Sequence, residues 1–415
     1  MKILCLVDRY FPDSNANTIC CDNIMEYFKS QGHQVDFFAI KNDETDADFS
    51  VYNGSNVVKE GTYLTRAMHK YGKKYNAKKW MDFPWLFRKF NGLIKKIQIL
   101  FKRNTTQAVS LDVLSTRKIY KKITSINKHY DCLFTFSMPF ALMVIGDQLM
   151  KYGIADKWYP VFLDSFVLND CLFTHDVNHR KKVATRVLKR ANHIFMVKGI
   201  KDWNIKHGYN PPYHEKTTEI FIPILQEVNL PKRESKKTAL VYTGGFYRDI
   251  RNPEKMFDII SSLPLEFNFN VFSRGCEDIV ESKKEKFSEK ILNIGGYISH
   301  EECLQEMANA DFLINLGNTM KQQMPSKILE YMGTGKPIIN FYFVEEDMCL
   351  PILEKYPLSI SINLNNYSQK DIDDLAKFIK DNKGKQLSYE EATKNLKEYR
   401  VDNIVKRIYK EVCHE

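Results

Sequence analysis

The 415-residue chain lacks any apolar run of the roughly 18 residues that a membrane-spanning helix requires. Its longest candidate, 133–146, is interrupted by Ser137 and Pro139 and reads as a buried strand passing into a helix. No charged n-region and apolar h-region open the chain, which begins at once with a strand pattern, so export is not expected. No Cys-x-x-Cys pair occurs among the nine cysteines at 5, 20, 21, 132, 171, 276, 303, 349 and 413. Their odd number and mostly apolar neighbours argue for packing thiols in a reducing cytosol rather than for a disulfide frame or a zinc cluster. His175 and His179 have the four-residue spacing of two ligands on a helix face, but no Glu follows His175 and no third ligand stands out, so a solvated helix is the expectation there. No expected strand ends in an Asp-x-Asp that would hold a divalent ion. A disordered, collagen-like or low-complexity chain is excluded by 44% hydrophobic, 13% aromatic and 27% charged residues.

What is present is alternation. At about 100–200 residues per domain the length implies two or three domains. Lys2–Val7 is a short apolar run, the mark of a strand buried on both faces. Pro12, Asp13, Ser14 and Asn15 form a turn-rich loop. Ile19, Ile24, Tyr27 and Phe28 recur near helical spacing over 18–31, and Gly32 stops that helix. Residues 34–40 form a second strand, so the start is a βαβ unit. Further strands are expected at 131–136, 159–163 and 193–197. Pro223, Pro231 and the run 232–237 read as a connection, after which the pattern restarts. Strands at 239–243, 268–273, 291–294, 312–315 and 337–341 alternate with helices at 253–263 and 326–332. The fold expected is α/β, with two Rossmann-like doubly wound lobes facing a central cleft. The boundaries are 1–225 for the first lobe, 226–385 for the second, and 386–415 for terminal helices that pack back on the first lobe.

The stretch Pro325–Ile339, PSKILEYMGTGKPII, carries the most chemistry. A strand leads to a loop, and Pro325 or Ser326 opens a helix. Free N–H groups and a partial positive charge at such a start favour phosphate. Glu330, one turn on, is placed to accept two hydroxyl hydrogen bonds, as from a ribose. The alternative is an amphipathic connection with Glu330 in solvent.

Glu330, Met332, Gly333, Gly335, Lys336 and Pro337 resemble the signature of retaining, nucleotide-sugar-dependent glycosyltransferases of the glycosyltransferase-B fold, the family-4 type. The resemblance extends upstream to Tyr242-Thr243-Gly244-Gly245, where that family has strand-Gly, and to 293–297 with the helix that follows. It implies a donor-binding second lobe and an acceptor-binding first lobe. Glu330 would hold the nucleotide ribose. Arg251 stands where the family has a diphosphate-binding Lys, and Arg248 would share that role, since the departing diphosphate gathers charge in the transition state. Ser326 and Lys327 would lie against phosphates or ribose, and Gly244 and Gly245 would approach the donor. Ser273, Arg274 and Gly275 would flank the base. Two features depart from the family. Gln322 stands where it has a first carboxylate, and Asn15-Ala16 stands on the acceptor side where it has Gly-Gly. Ser137 and Pro139 occupy the neighbourhood of the family's His, so no catalytic base is assigned. The resemblance implies no metal and no cofactor besides the nucleotide-diphosphate sugar as co-substrate.

The segment 66–103 holds twelve Lys or Arg against one acid, Asp82, and so exceeds the whole chain's net charge of +10. Tyr71, Tyr75, Trp80, Phe83, Trp85, Phe87, Phe90 and Phe101 are interleaved. Such a mixture suits an anionic membrane surface or a lipid-linked acceptor. A helical excursion packed on the first lobe is the plain alternative, and nucleic acid the least favoured partner. The expected protein is a cytoplasmic transferase, peripheral at the inner membrane face, that extends a saccharide or lipid-linked acceptor in cell-surface polysaccharide or glycolipid synthesis. Its rivals are a sugar-nucleotide epimerase, which Gln322 disfavours, and a non-catalytic binding protein of the same fold, which Gln322 keeps open.

Overall fold

The computed structural model describes residues 1–12, 14–71, 89, 113–168, 177–229, 231, 237–287, 291–320 and 324–413. Gln322, His175, Cys171, Asp13 and nearly all of 72–112 therefore lie outside the described residues. The chain divides into two compact units. Unit 1 is Met1–Ile222 with Val405–Glu415, and unit 2 is Pro223–Ile404.

Unit 1 is built on strands β1 (Lys2–Val7), β2 (Gln34–Ile40), β3 (Phe49–Tyr52), β4 (Ser55–Glu60), β5 (Tyr130–Phe136), β6 (Ala155–Phe162), β7 (Ile194–Val197) and β8 (Thr217–Ile220). They lie in the order β3-β4-β2-β1-β5-β6-β7-β8. Every pairing is parallel except β3–β4. That hairpin turns at Asn53-Gly54, both with positive φ, a turn signal present in the sequence but not read as one. The central strands are buried along nearly their whole length, as a parallel sheet covered on both faces demands. Leu4, Leu6, Phe38, Leu133, Trp158 and Ile194 sit in one core cluster, each side chain contributing about 1.5–3 kcal/mol by leaving water. The first helix runs Ala16–Ser30, two residues earlier than expected, because Asn15 and Thr18 cap each other reciprocally. Tyr409, from the C-terminal residues that belong to unit 1, packs on Tyr27 and Phe28 with ring centroids 5.5 and 5.2 Å away.

Unit 2 contains β9 (Ala239–Gly245), β10 (Asn268–Arg274), β11 (Ile291–Ile294), β12 (Phe312–Leu316), β13 (Ile338–Tyr342) and β14 (Ser359–Asn363). Their order is β11-β10-β9-β12-β13-β14, and all pairings are parallel. Numbered within the unit this is 3-2-1-4-5-6, the doubly wound dinucleotide-binding order. The strand order reverses between β9 and β12, so the crevice for ligand lies at their carboxyl ends.

The break after the helix Lys327–Gly333 explains part of the signature stretch. Gly335 has φ +71, and a Cβ there would stand 2.0 Å from the Leu387 carbonyl oxygen. Lys336 is buried, and its Nζ donates to the Ala310 carbonyl at 2.7 Å, satisfying the end of the preceding helix, His300–Asn309. Its place in the signature thus reports a structural bond. Gly335→Ala is expected to destabilise unit 2 by about 2–5 kcal/mol, from left-handed strain plus the clash. Thermal unfolding measures it, and an unchanged midpoint would contradict the packing described.

Candidate functional site

At the carboxyl end of β9 the chain makes a tight loop. Tyr247 and Arg251 exchange backbone hydrogen bonds, at 2.7 and 3.2 Å, and the turn returns Arg251 toward the strand end. Arg251 Nε donates to Asn318 Oδ1 at 2.9 Å, and an Nη donates to the Gly245 carbonyl at 3.3 Å. Asn318 lies two residues beyond β12, and the Thr319 N–H donates to the Ile250 carbonyl at 2.8 Å. These bonds join the loops on either side of the strand-order reversal. A cation is thereby fixed where a parallel sheet of this order receives a ligand.

The helix Lys327–Gly333 enters the same region. Its Tyr331 hydroxyl, fully buried, engages the Thr243 N–H at 3.0 Å and the Thr243 carbonyl at 3.2 Å. The helix is thus latched to β9 just before Gly244 and Gly245. Burial pushes the Tyr331 hydroxyl's pKa upward, so it stays protonated and able to donate. The adjacent residue, Glu330, is buried, and its Oε2 receives Lys327 Nζ at 2.7 Å. His300 Nδ1 stands 3.8 Å from that same oxygen. Burial holds the imidazole pKa below its ordinary value and Lys327 reinforces the shift, while Glu330 opposes it.

The site residues expected from sequence are placed as follows. Arg251, Gly244, Gly245, Lys327 and Glu330 are brought to the carboxyl ends of β9 and β12 by the two sets of bonds just described. Ser326 occupies the N-cap position but has helical backbone angles and makes no side-chain cap bond. Arg248 turns away to an exposed ion pair with Asp278 at 2.5 Å, which commits its charge elsewhere. Arg274, the last residue of β10, is exposed and stacks its guanidinium over the Tyr297 ring at 5.5 Å. Ser273 lies beside Gly244 in the β9–β10 register. Gly275, with φ +84, presses on the Phe246 carbonyl, which a Cβ would approach to 2.4 Å; that contact demands a glycine whatever the ligand.

Asn318, Tyr331, His300 and Asp347 were not singled out from sequence. Asn318 follows β12 through Gly317, a strand-Gly signal that was legible. Asp347 is 4% exposed. One carboxylate oxygen accepts the Cys349 N–H at 2.7 Å, and the other is buried without a hydrogen-bond partner. Burial raises its pKa, and the charge of Arg251 partly offsets that.

In unit 1 the equivalent reversal lies between β1 and β5. A cavity of about 290 Å³ opens there, lined by Asp8, Arg9, Ile40, Lys41, Asn42, Met138 and Pro139. Asn15 does not project as a bare obstacle. Its Nδ2 donates to Asp8 at 2.7 Å and its Oδ1 accepts the Thr18 N–H at 2.9 Å, so the side chain is folded into the helix cap. Ala16 is the first helical residue. Ser137 Oγ accepts the Leu163 N–H at 3.2 Å, a structural bond. Among the described residues no three His, Cys, Asp or Glu side chains converge as a metal site needs, and no helix is long and apolar enough to cross a membrane. None of the eight cysteines among the described residues is in a disulfide.

No family model matches the chain, and no curated protein sequence matches it. Solved structures do. Sucrose-phosphate synthase from Thermosynechococcus elongatus superposes with a TM-score of 0.65 at 12% identity, covering 100% of this chain and 98% of the other. Anabaena HepE, solved in complex with UDP and glucose, gives 0.63 at 12% identity with both chains covered completely. The UDP-forming α,α-trehalose-phosphate synthase from Burkholderia xenovorans, in complex with glucose-6-phosphate, gives 0.60 at 9% identity, again over both whole chains. At such identities the likeness lies in the backbone. The chain has the glycosyltransferase-B fold, with a Rossmann-like parallel sheet in each of its two units.

Proposed function

We propose that this protein is a glycosyltransferase that moves a hexose from a nucleotide-diphosphate sugar to a saccharide or lipid-linked acceptor, with retention of anomeric configuration. One observation carries the reading. Arg251 is fixed across the strand-order reversal of unit 2 by Asn318, beside a helix latched to β9 that offers a buried carboxylate, Glu330. A cation and a hydroxyl-accepting carboxylate are the two groups that a nucleoside diphosphate needs, one for its phosphates and one for its ribose. The solved complexes of fold neighbours with UDP and glucose, and with glucose-6-phosphate, support the same class of ligand.

In this reading Glu330 accepts ribose hydroxyls, and Lys327 stands one helical turn from it, within reach of a phosphate. Arg251 answers the charge that gathers on the diphosphate as the glycosidic bond breaks. Its guanidinium is already oriented by Asn318 and Gly245, so little reorganisation accompanies the step. Retention then asks the protein for positioning and charge stabilisation rather than for a protein nucleophile. Unit 1, with Asp8 and the Asn15 cap at its cavity, takes the acceptor. Incubation with UDP-, GDP- and dTDP-sugars is expected to show slow donor hydrolysis with at least one of them. No hydrolysis, together with no nucleotide binding by calorimetry, would favour a non-catalytic binding protein.

The acceptor is proposed to be presented at an anionic membrane on the cytoplasmic face, in polysaccharide or glycolipid synthesis. The support is the charge and aromatic pattern of 66–103, which falls mostly outside the described residues. Each Lys near such a surface contributes about 1 kcal/mol. Replacing Lys73, Lys74, Lys78 and Lys79 together by Gln should therefore release the protein from phosphatidylserine vesicles in a sedimentation assay. Equal sedimentation would remove the membrane from the reading.

A further inference from the structure

Lys327 and His300 address one oxygen of Glu330. Lys327 Nζ holds Oε2 at 2.7 Å, whereas His300 Nδ1 is 3.8 Å away, beyond hydrogen-bonding distance. His300 is set there by the fold. Ser299 caps the helix His300–Asn309, accepting the Glu302 N–H at 3.2 Å while the Glu302 carboxylate accepts the Ser299 N–H at 2.7 Å. That reciprocal cap makes His300 the first helical residue and turns its ring inward, 22% exposed, against a carboxylate that is 7% exposed. In the free protein the ion pair therefore belongs to Lys327, and the imidazole waits beside it.

A nucleoside diphosphate changes this balance. Resting on the function proposed above, its phosphates bring two to three negative charges next to Lys327, the cation nearest to Glu330. A Lys ammonium on a flexible stem can follow the phosphates. Glu330 would then be a buried carboxylate deprived of its partner, which is costly unless another cation replaces it. The charged groups that act on the His300 ring are Glu330 and Lys327, both from the helix Lys327–Gly333. Cys303, on the histidine's own helix, feels the same pair, and the Glu301 and Glu302 side chains on that helix are exposed. Tyr331 is committed to Thr243. Withdrawing or neutralising Lys327 favours the imidazolium, and so does the approach of an anion.

We propose that His300 is a positioning residue for Glu330, which takes up a proton from solvent and replaces Lys327 as the partner of Oε2 when a nucleoside diphosphate binds. The neutral imidazole becomes an imidazolium whose Nδ1–H donates to the carboxylate, and Lys327 is freed for phosphate. Nucleotide binding thereby consumes protons, and affinity rises as pH falls through the range in which His300 titrates.

Calorimetry of UDP and of GDP near pH 7, in buffers of different ionisation enthalpy, tests this on the full chain. The expected result is uptake of about half to one proton per nucleotide bound, and near-zero uptake in His300→Asn with its affinity made insensitive to pH. His300→Gln serves if the Asn variant unfolds. Uptake that survives in both variants would overturn the proposal, as would its absence in the unaltered protein. A second readout needs no nucleotide: the His300 ring resonance should titrate below the ordinary histidine range in the free protein and move upward on adding inorganic pyrophosphate. An unmoved resonance counts against the proposal. If neither UDP nor GDP binds, while pyrophosphate still shifts His300, the nucleotide reading fails and the proton coupling stands.

Discussion

Glu330→Ala is expected to weaken the binding of UDP or GDP by about 1–3 kcal/mol, roughly five- to more than a hundredfold, because it removes charged hydrogen bonds to the ribose. A second contribution opposes this loss. Lys327 is paired with Glu330 at 2.7 Å, so its loss leaves the Lys327 ammonium free to bind phosphate more strongly. That gain sets the lower end of the range. Glu330→Gln separates the two contributions, since it keeps the shape and one acceptor oxygen but surrenders the charge. Isothermal titration of both variants against one nucleotide gives the numbers. Affinity unchanged in Glu330→Ala would dislodge this residue from the ribose. The helix itself should survive the change, because Tyr331, not Glu330, latches it to Thr243.

Arg251→Ala should act differently, lowering turnover by about 10²–10³ while altering nucleotide affinity much less. The physical reason is timing. The diphosphate gathers its extra charge only as the glycosidic bond breaks, so an interaction with that charge is stronger in the transition state than in the ground state. Asn318 and the Gly245 carbonyl already hold two of the guanidinium's donors, which leaves the remaining donors aimed with little freedom to lose. Arg251→Lys is not a neutral replacement, because a point ammonium cannot keep both protein contacts and still face the diphosphate. Steady-state kinetics with the donor found active in hydrolysis decide the matter. Equal losses in ground-state binding and turnover would assign Arg251 to uniform binding instead.

The parallel strands were legible because a strand buried on both faces must be apolar throughout. Lys2–Val7 and Gln34–Ile40 were bounded to the residue, and the expected strands at 239–243, 268–273 and 312–315 differ by one or two residues from β9, β10 and β12. Four strands were not legible, β3, β4, β8 and β14, whereas the edge strand β11 matches the expected 291–294. Each is only four to six residues long and mixes Ser, Thr, Asn, Lys or Glu with its few apolar residues, so its hydrophobic run is too short to stand out. The same holds within the site. Arg248 and Arg251 are three residues apart in one loop and equal in composition terms, yet one faces Asn318 and the other an exposed Asp278. Lys336 stands in the most informative stretch of the chain, and its amine serves a helix end.

The amino-acid sequence alone determined the fold class of this protein. Repeated buried strands with helices between them admit few solutions other than doubly wound sheets, and the Glu330 stretch pointed to one end of one such sheet. The tertiary structure decided which polar groups meet. Hydrogen bonds act over about 3 Å, and residues 251 and 318, or 243 and 331, are brought within that reach only by strand order and helix docking, which also set His300 3.8 Å from Glu330. No local pattern in the chain records that distance.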